Sequence, residues 1–334
     1  MHYHQLSAPF YLSSSSFCNF AVESQKNSLH PLIDTAKFLI VVAGPTAVGK
    51  TDMCIKIAKK FNTSIISSDS RQFFREMEIG TAKPTLEERQ QVAHHFIDSL
   101  SIHDQYDVRR FENDTLNLLN SLFETHDCVI MTGGSGLYID AVCKGFDEMP
   151  EIPSQIRESL NELFQNEGIE VLQKRLKQVD PEYFEMVDRH NPQRLIRALE
   201  VFEGTGKPFS SFRLKNTVER PFNLIKIGLE RDRELLYERI NLRMDQMIEQ
   251  GLFEEAEKIF PYRHLNALQT VGYSEIFGYL DGKYDKEEAV RLLKRNSRRY
   301  AKRQLTWFKK DPDMVWFSPD EAESIIKHIG RQMD

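Results

Sequence analysis

Phe38-Leu39-Ile40-Val41-Val42-Ala43-Gly44-Pro45-Thr46-Ala47-Val48-Gly49-Lys50-Thr51 is the stretch on which the fold turns. Its first six residues are apolar, with β-branched Ile40, Val41 and Val42 at their centre, which predicts a buried parallel strand. Gly44, Pro45, Thr46, Ala47, Val48, Gly49, Lys50 and Thr51 then fit G-x-x-x-x-G-K-[ST] at every fixed position. From Thr51 to Lys60 the spacing turns helical, with Met53, Ile57 and Ala58 on one side. Strand, glycine-bearing loop and helix together make an anion cradle. The glycines let backbone N–H groups close around phosphate oxygens, and the helix N-terminus adds partial positive charge. Lys50 adds a full charge. Thr51 adds a hydroxyl suited to Mg²⁺ that is itself bridged to phosphate. The loop is expected to hold a di- or triphosphate, and it leaves the reaction open.

Outward from this unit, Ser64-Ile65-Ile66, Cys128-Val129-Ile130-Met131, Leu224 to Leu229 and Met314 to Phe317 read as further strands. Long helical patterns separate them, which predicts an α/β fold with a parallel sheet flanked by helices. Between Gly145 and Pro221 no strand pattern occurs. Prolines 150, 153, 181, 192 and 208 divide that stretch into helical pieces, and Leu195, Leu199 and Phe202 share one helical face. The expected organisation is a core of residues 37–147 and 223–318, a helical insertion over 148–222, and a terminal tail segment over 319–334. Residues 1–36 hold four consecutive serines, one lysine, no arginine and no long apolar core. They read as an ill-defined tail rather than a signal or transit peptide.

The 334 residues carry a formal net charge of −6, which taken alone argues against a nucleic-acid partner. The charge is unevenly spread, however. Residues 286–310 contain ten Lys or Arg against two Glu. Arg291, Lys294, Arg295, Arg298, Arg299, Lys302 and Arg303 recur at three- and four-residue spacing. They form a basic stripe, either a solvated face or a polyanion-binding one. The four cysteines lack metal-ligand spacing, which fits a reducing, intracellular compartment. No apolar run is long enough to span a bilayer. The chain is expected to be cytoplasmic.

Two residues stand where strand ends would deliver them to the phosphate edge. Asp69 follows the second strand, and Ser135 follows the third among Gly133, Gly134 and Gly136. Taken alone, Asp69 reads as a turn or capping residue, and Ser135 as part of a glycine turn. NTP-hydrolysing proteins with this loop usually carry a strand-end aspartate for Mg²⁺. The strand from Cys128 instead runs into Thr132-Gly133-Gly134. That weakens a kinase or ATPase reading and suits a loop holding a diphosphate leaving group. Adjacent His94 and His95 cannot share one face of a helix or strand, so they read as structural.

Seven ordered blocks now resemble the tRNA dimethylallyltransferases, also called tRNA isopentenyltransferases. They are GPTAVGKT (44–51), DSRQFFREMEIGTAKPT (69–85), HHFID (94–98), GGSGLYI (133–139), NPQRLIRALEV (191–201), QTVGYSE (269–275) and AKRQLTWF (301–308). The resemblance implies a P-loop NTPase-like fold with a helical insertion. It also implies transfer of a dimethylallyl group from dimethylallyl diphosphate to N6 of the adenosine on the 3′ side of the anticodon. By matching motif, the loop with Lys50 should bind the donor with Mg²⁺ at Thr51. Asp69 should be the general base, with Ser135 beside it. Contacts to the tRNA anticodon stem-loop should come from Asp69, Ser70, Arg71, Gln72 and Ser135. Others should come from Arg157, from Gln193, Arg194, Leu195, Ile196 and Arg197, and from Gln269, Thr270, Val271, Gly272, Tyr273 and Ser274. A monomer is expected. The family commonly has threonine where Ser135 stands, and Met-Gln-Val-Tyr where Arg71-Gln72-Phe73-Phe74 stands. No Cys/His pattern follows the transferase region, which implies a bacterial-type member. The competing readings are a small-molecule kinase with the same loop and an adenylate isopentenyltransferase acting on free nucleotide. The long insertion and the basic helix argue against the second.

Overall fold

The computed structural model describes residues 36–334 except 146, 148 and 214–217. The expected N-terminal tail, Ala36 apart, lies outside the described residues, as do Cys18 and the expected first residue of the insertion. The core begins with β1 (Phe38–Ala43), α1 (Lys50–Phe61), β2 (Ile65–Ser67), α2 (Leu86–Gln91), β3 (His94–His95), α3 (Val108–Leu122), β4 (Cys128–Gly133) and α4 (Gly136–Lys144). Four helices follow without a strand: α5 (Ser154–Glu167), α6 (Ile169–Val179), α7 (Pro181–Met186) and α8 (Pro192–Thr205). The chain then returns to the sheet through β5 (Asn223–Leu229), α9 (Arg233–Glu249), α10 (Leu252–Ile259), α11 (Tyr273–Leu280), α12 (Lys286–Phe308), β6 (Val315–Phe317) and α13 (Ala322–Met333).

The six strands are parallel in the order β3-β2-β4-β1-β5-β6. Side chains alternate across β1, so its two faces feed two cores. Leu39, Val41 and Ala43 pack with residues of α3, α4, α10 and α11, while Phe38, Ile40 and Val42 pack with α1 and α13. Neighbouring strands β1 and β4 therefore send their following helices to opposite faces. The crevice beyond their carboxyl ends is the place where such sheets bind ligands. Register levels that edge: Ala43 pairs with Gly133, and Ser67 with Thr132.

The α5–α8 group has a separate core of Leu160, Leu172, Leu176, Leu195, Ile196 and Leu199, among others. Asn191 caps α8 by accepting the Arg194 N–H, and Pro192 occupies the first turn, where its missing N–H costs nothing. Two elements differ from the sequence reading. Within residues 319–334, expected as a tail segment, Ala322–Met333 form α13, and its Ile325 and Ile329 are fully buried. His94 and His95 form a short strand on the edge of the sheet, pairing with Ile65 and Ile66.

Candidate active site

The loop between β1 and α1 is held open from outside. Arg231 Nε donates to Val48 O at 2.9 Å, and Arg239 Nε donates to Ala47 O at 2.9 Å. Two carbonyls are thereby tied outward. Ala47 adopts φ +64°, a strained value for a residue with a side chain. A Cβ on Gly44 would stand 2.7 Å from Leu229 O, so only glycine fits there. Lys50 Nζ folds over the loop and donates to Gly44 O at 3.0 Å and Pro45 O at 2.8 Å. Burial in the cavity floor lowers its pKa to about 8, against the opposing pull of Asp69.

Beyond β2, the Asp69 carboxylate accepts the Arg71 N–H at 3.0 Å. Burial pushes its pKa above the ordinary aspartate value, and the Arg71 hydrogen bond and Lys50 oppose the rise. Ser67 Oγ donates to Gln72 Oε1 at 2.9 Å, and Gln72 Nε2 donates to Thr81 O and Ala82 O, both at 3.2 Å. Gln72 thus ties the strand end to the far side of its own loop. Beyond β4, Ser135 Oγ accepts the Ser70 N–H at 3.1 Å and donates to Ser70 Oγ at 3.1 Å. The close approach of the β2 and β4 ends requires Gly133, where a Cβ would fall 2.3 Å from Ser68 Oγ.

These segments enclose a cavity of about 150 Å³. One wall is the phosphate loop with Thr46, Lys50 and Thr51. Another is Asp69, Arg71 and Gln72, and a third is Thr270, Val271 and Gly272. Met244, Met247 and Leu252 give it an apolar side. Among the described residues Asp69 is the only carboxylate lining it. No described cluster of three or more His, Cys, Asp or Glu could hold a metal alone. The Thr51 hydroxyl lines the cavity. A Mg²⁺ there would need its remaining ligands from a phosphate substrate and water, which suits that ion.

The other expected contact residues divide. Gln193 and Arg194 are exposed on α8. Arg157 Nη1 and Arg197 Nη1 each approach Glu200 Oε2 at 3.3 Å, so one buried carboxylate orients two guanidinium groups. Leu195 and Ile196, expected to touch tRNA, are both 0% exposed in the α5–α8 core, which withdraws their side chains from any nucleic acid. Tyr273 is likewise fully buried, its hydroxyl donating to Glu255 at 2.6 Å. Gln269 and Ser274 are exposed at the surface. None of the described α5–α8 residues lines the cavity.

Six of the seven cations of the basic stripe on α12 fall into two groups, and the seventh, Arg295, donates from Nε to the neighbouring Asn296 at 3.2 Å. Arg291 pairs with Glu288 at 2.6 Å, Lys294 with Asp245 at 2.5 Å, and Arg298 Nη1 donates to Asn241 at 2.6 Å. Arg299, Lys302 and Arg303 stay exposed. His94 lines the cavity, with Nδ1 2.8 Å from Val92 O.

Sequence reasoning missed Arg231, Arg239, Arg243, Tyr300 and Gln304. Arg243, Tyr300 and Gln304 line the cavity, and burial lowers the Arg243 pKa and raises that of Tyr300 to about 12. A signal existed for the three arginines. Arg231 stands just beyond a strand end, and Arg239 and Arg243 share a helical face at i, i+4.

The chain is similar to tRNA-modifying transferases in both sequence and structure. A tRNA dimethylallyltransferase of Cytophaga hutchinsonii is 53% identical over 293 residues, covering 88% of this chain and 96% of that protein. One from Christiangramia forsetii is 52% identical over 295 residues, covering 88% and 98%. Among solved structures, the tRNA isopentenylpyrophosphate transferase of Bacillus halodurans superposes with TM-score 0.66 at 37% identity, covering 90% of this chain and 97% of that one. A eukaryotic dimethylallyltransferase acting on tRNA superposes with TM-score 0.67 at 26% identity, covering 84% and 74%. The sequence profile of the IPP transferase family matches residues 72–311, and with these identities over nearly nine-tenths of its length the chain belongs to that family.

Proposed function

We propose that the protein transfers a dimethylallyl group from dimethylallyl diphosphate to N6 of the adenosine 3′ to the anticodon of tRNA, releasing diphosphate. The observation that carries this reading is a cavity with a phosphate loop on one wall, apolar side chains on another and, among the described residues, a single lining carboxylate, Asp69. P-loop kinases usually carry a strand-end carboxylate for metal, and β4 ends in Thr132 and Gly133 instead, which weighs against that reading. In the transfer, the bond between the allylic carbon and the diphosphate oxygen breaks, and its electrons leave with oxygen. A bond forms between N6 and that carbon, and the N6 proton passes to Asp69. The adenine amine is a weak nucleophile, so leaving-group stabilisation matters: Lys50 and the loop amides face the departing charge. Mg²⁺, held by Thr51 and diphosphate oxygens, would neutralise that charge further. The raised pKa of Asp69 makes it a stronger base than an ordinary aspartate.

The target base must leave its stack to reach a donor bound in this cavity. Gln193, Arg194, Arg157 and Arg197 on the insertion, Gln269 and Ser274 beside the cavity, and Arg299, Lys302 and Arg303 on α12 are the groups proposed to hold the anticodon stem-loop. Phosphate contacts position it and contacts to splayed bases select it. The test is mass spectrometry of nucleosides from tRNA incubated with protein, dimethylallyl diphosphate and Mg²⁺. The expected product is N6-dimethylallyl adenosine at the position 3′ to the anticodon. Steady phosphate release from ATP without prenylated nucleoside would overturn the proposal.

A further inference from the structure

The buried stripe of α12 runs Ala289, Leu293, Ser297, Ala301, Gln304 and Phe308. At Gln304 a primary amide is 5% exposed, an expensive choice unless both its ends are satisfied. Both are, and by different loops. Gln304 Oε1 accepts the Thr46 N–H of the phosphate loop at 2.9 Å, and Nε2 donates to Gly134 O at 3.0 Å in the turn that carries Ser135. The orientation of the amide follows from its partners, because an N–H can meet only the oxygen and a carbonyl only the nitrogen. The turn is shaped to receive it: a Cβ on Gly134 would stand 2.0 Å from Nε2. The phosphate loop and the β4 turn are therefore joined through one side chain, planar and rigid at its head, from a third element.

We propose that Gln304 is a positioning residue that fixes the register between the diphosphate site and the base-binding side of the cavity. This rests on the transferase reading above. The two reactants bind to different loops, and the reaction needs the allylic carbon and N6 at attack distance. An error of about 1 Å between loops that each bind well can cost about a hundredfold in rate. Loss of the bridge should thus appear in turnover rather than in either binding constant.

Gln304→Met keeps the volume and removes both hydrogen bonds. With full-length protein, tRNA and dimethylallyl diphosphate, kcat should fall about 10- to 100-fold. The donor KM and the tRNA dissociation constant should stay within about threefold. Gly134→Ala attacks the same bridge from the other side and should give the same pattern, which keeps the test open if Gln304→Met folds poorly. The double variant should lose no more than the worse single one, because both break one link. A rise in donor KM at unchanged kcat would overturn the proposal, since Gln304 would then serve the phosphate loop alone. So would a lowered melting temperature with kcat and KM unchanged, or additive losses in the double variant. A wild-type protein that transfers no prenyl group would refute the underlying reading instead, a result distinct from any of these.

Discussion

At the scale of single residues, Asp69 and Lys50 are the two groups on which the proposed transfer turns, and each has its pKa moved by burial. Asp69→Ala should cut turnover by about 10²–10⁴, the usual worth of a general base, and leave tRNA affinity within a few-fold. Near-wild-type turnover at saturating substrate would return Asp69 to the role of a turn residue. The pH dependence follows from the two shifts. Asp69 acts as base only when ionised and its pKa is raised, so kcat/KM should fall on acidification at a higher pH than for an ordinary aspartate. In the proposed reaction Lys50 would attract the donor only when protonated. Its pKa of about 8 in the free protein predicts that kcat/KM for the donor declines as pH rises past about 8. Lys50→Arg should remove that basic limb, because a guanidinium stays charged. A profile that stays flat from about pH 8 to about pH 10 would show that the lysine charge is not what the donor senses. Asp69, Lys50 and Ser135 were legible in the sequence because each sits in or beside a loop at a strand end. Gln304 was not, since its partner Thr46 lies 258 residues away and no local pattern marks that pairing. Leu195 and Ile196 show the converse error. A motif marks a segment as a unit, but its helical period turns every third or fourth residue inward.

At the scale of elements, one carboxylate on α10 joins two walls of the cavity. Glu255 accepts N–H groups of Glu78, Ile79 and Gly80 at 3.0, 2.8 and 2.9 Å, and the Tyr273 hydroxyl at 2.6 Å. The first three belong to the loop that carries Gln72, and Tyr273 begins α11 behind Thr270 to Gly272. Two of the motif blocks, far apart in the chain, are thus packed as one unit, and Gly80 is the point of closest approach. A Cβ there would lie 2.5 Å from the Tyr273 ring. Glu255→Gln puts an NH₂ group against amide donors and should destabilise by about 1–3 kcal/mol. Gly80→Ala should cost about 1–3 kcal/mol through overpacking. Tyr273→Phe removes one bond of the four and should cost least. Urea unfolding of the three variants orders them, and a Gly80→Ala protein as stable as wild type would show that the approach is not tight. Strands β1 and β4 were legible as buried apolar runs, and β5 as a mainly apolar one interrupted by Lys226. The edge strand β3 is two residues long, too short for any period to register. The last helix did carry a signal, with Ile325 and Ile329 at i, i+4 and both buried, and the tail assignment overlooked it.

At the scale of the whole molecule, a protein of net charge −6 must present a local positive surface if its partner is a polynucleotide. The sequence located that charge on one helix but could not say which cations were already spoken for. The fold divides them. Arg291, Lys294 and Arg298 are turned to Glu288, Asp245 and Asn241. Arg299 and Lys302 are exposed and lie on the side of α12 away from its buried stripe. Replacing Arg299 and Lys302 together with Gln should therefore weaken all substrate tRNAs by a similar factor. It should also flatten the log–log salt dependence of binding by roughly 0.7–0.9 for each phosphate no longer neutralised. Turnover at saturating tRNA should hold, because neither side chain lines the cavity. Lys294→Gln is the internal control. Its Asp245 partner makes it part of the α9–α12 packing, so it should shift the melting temperature slightly and leave the salt slope alone. If the Arg299/Lys302 variant instead lost thermal stability while its salt slope stayed at the wild-type value, these cations would be serving the fold, and the tRNA-facing surface would have to be sought on the arginines that Glu200 orients in the insertion. Titrating tRNA at several salt concentrations, beside melting curves of both variants, separates the two outcomes.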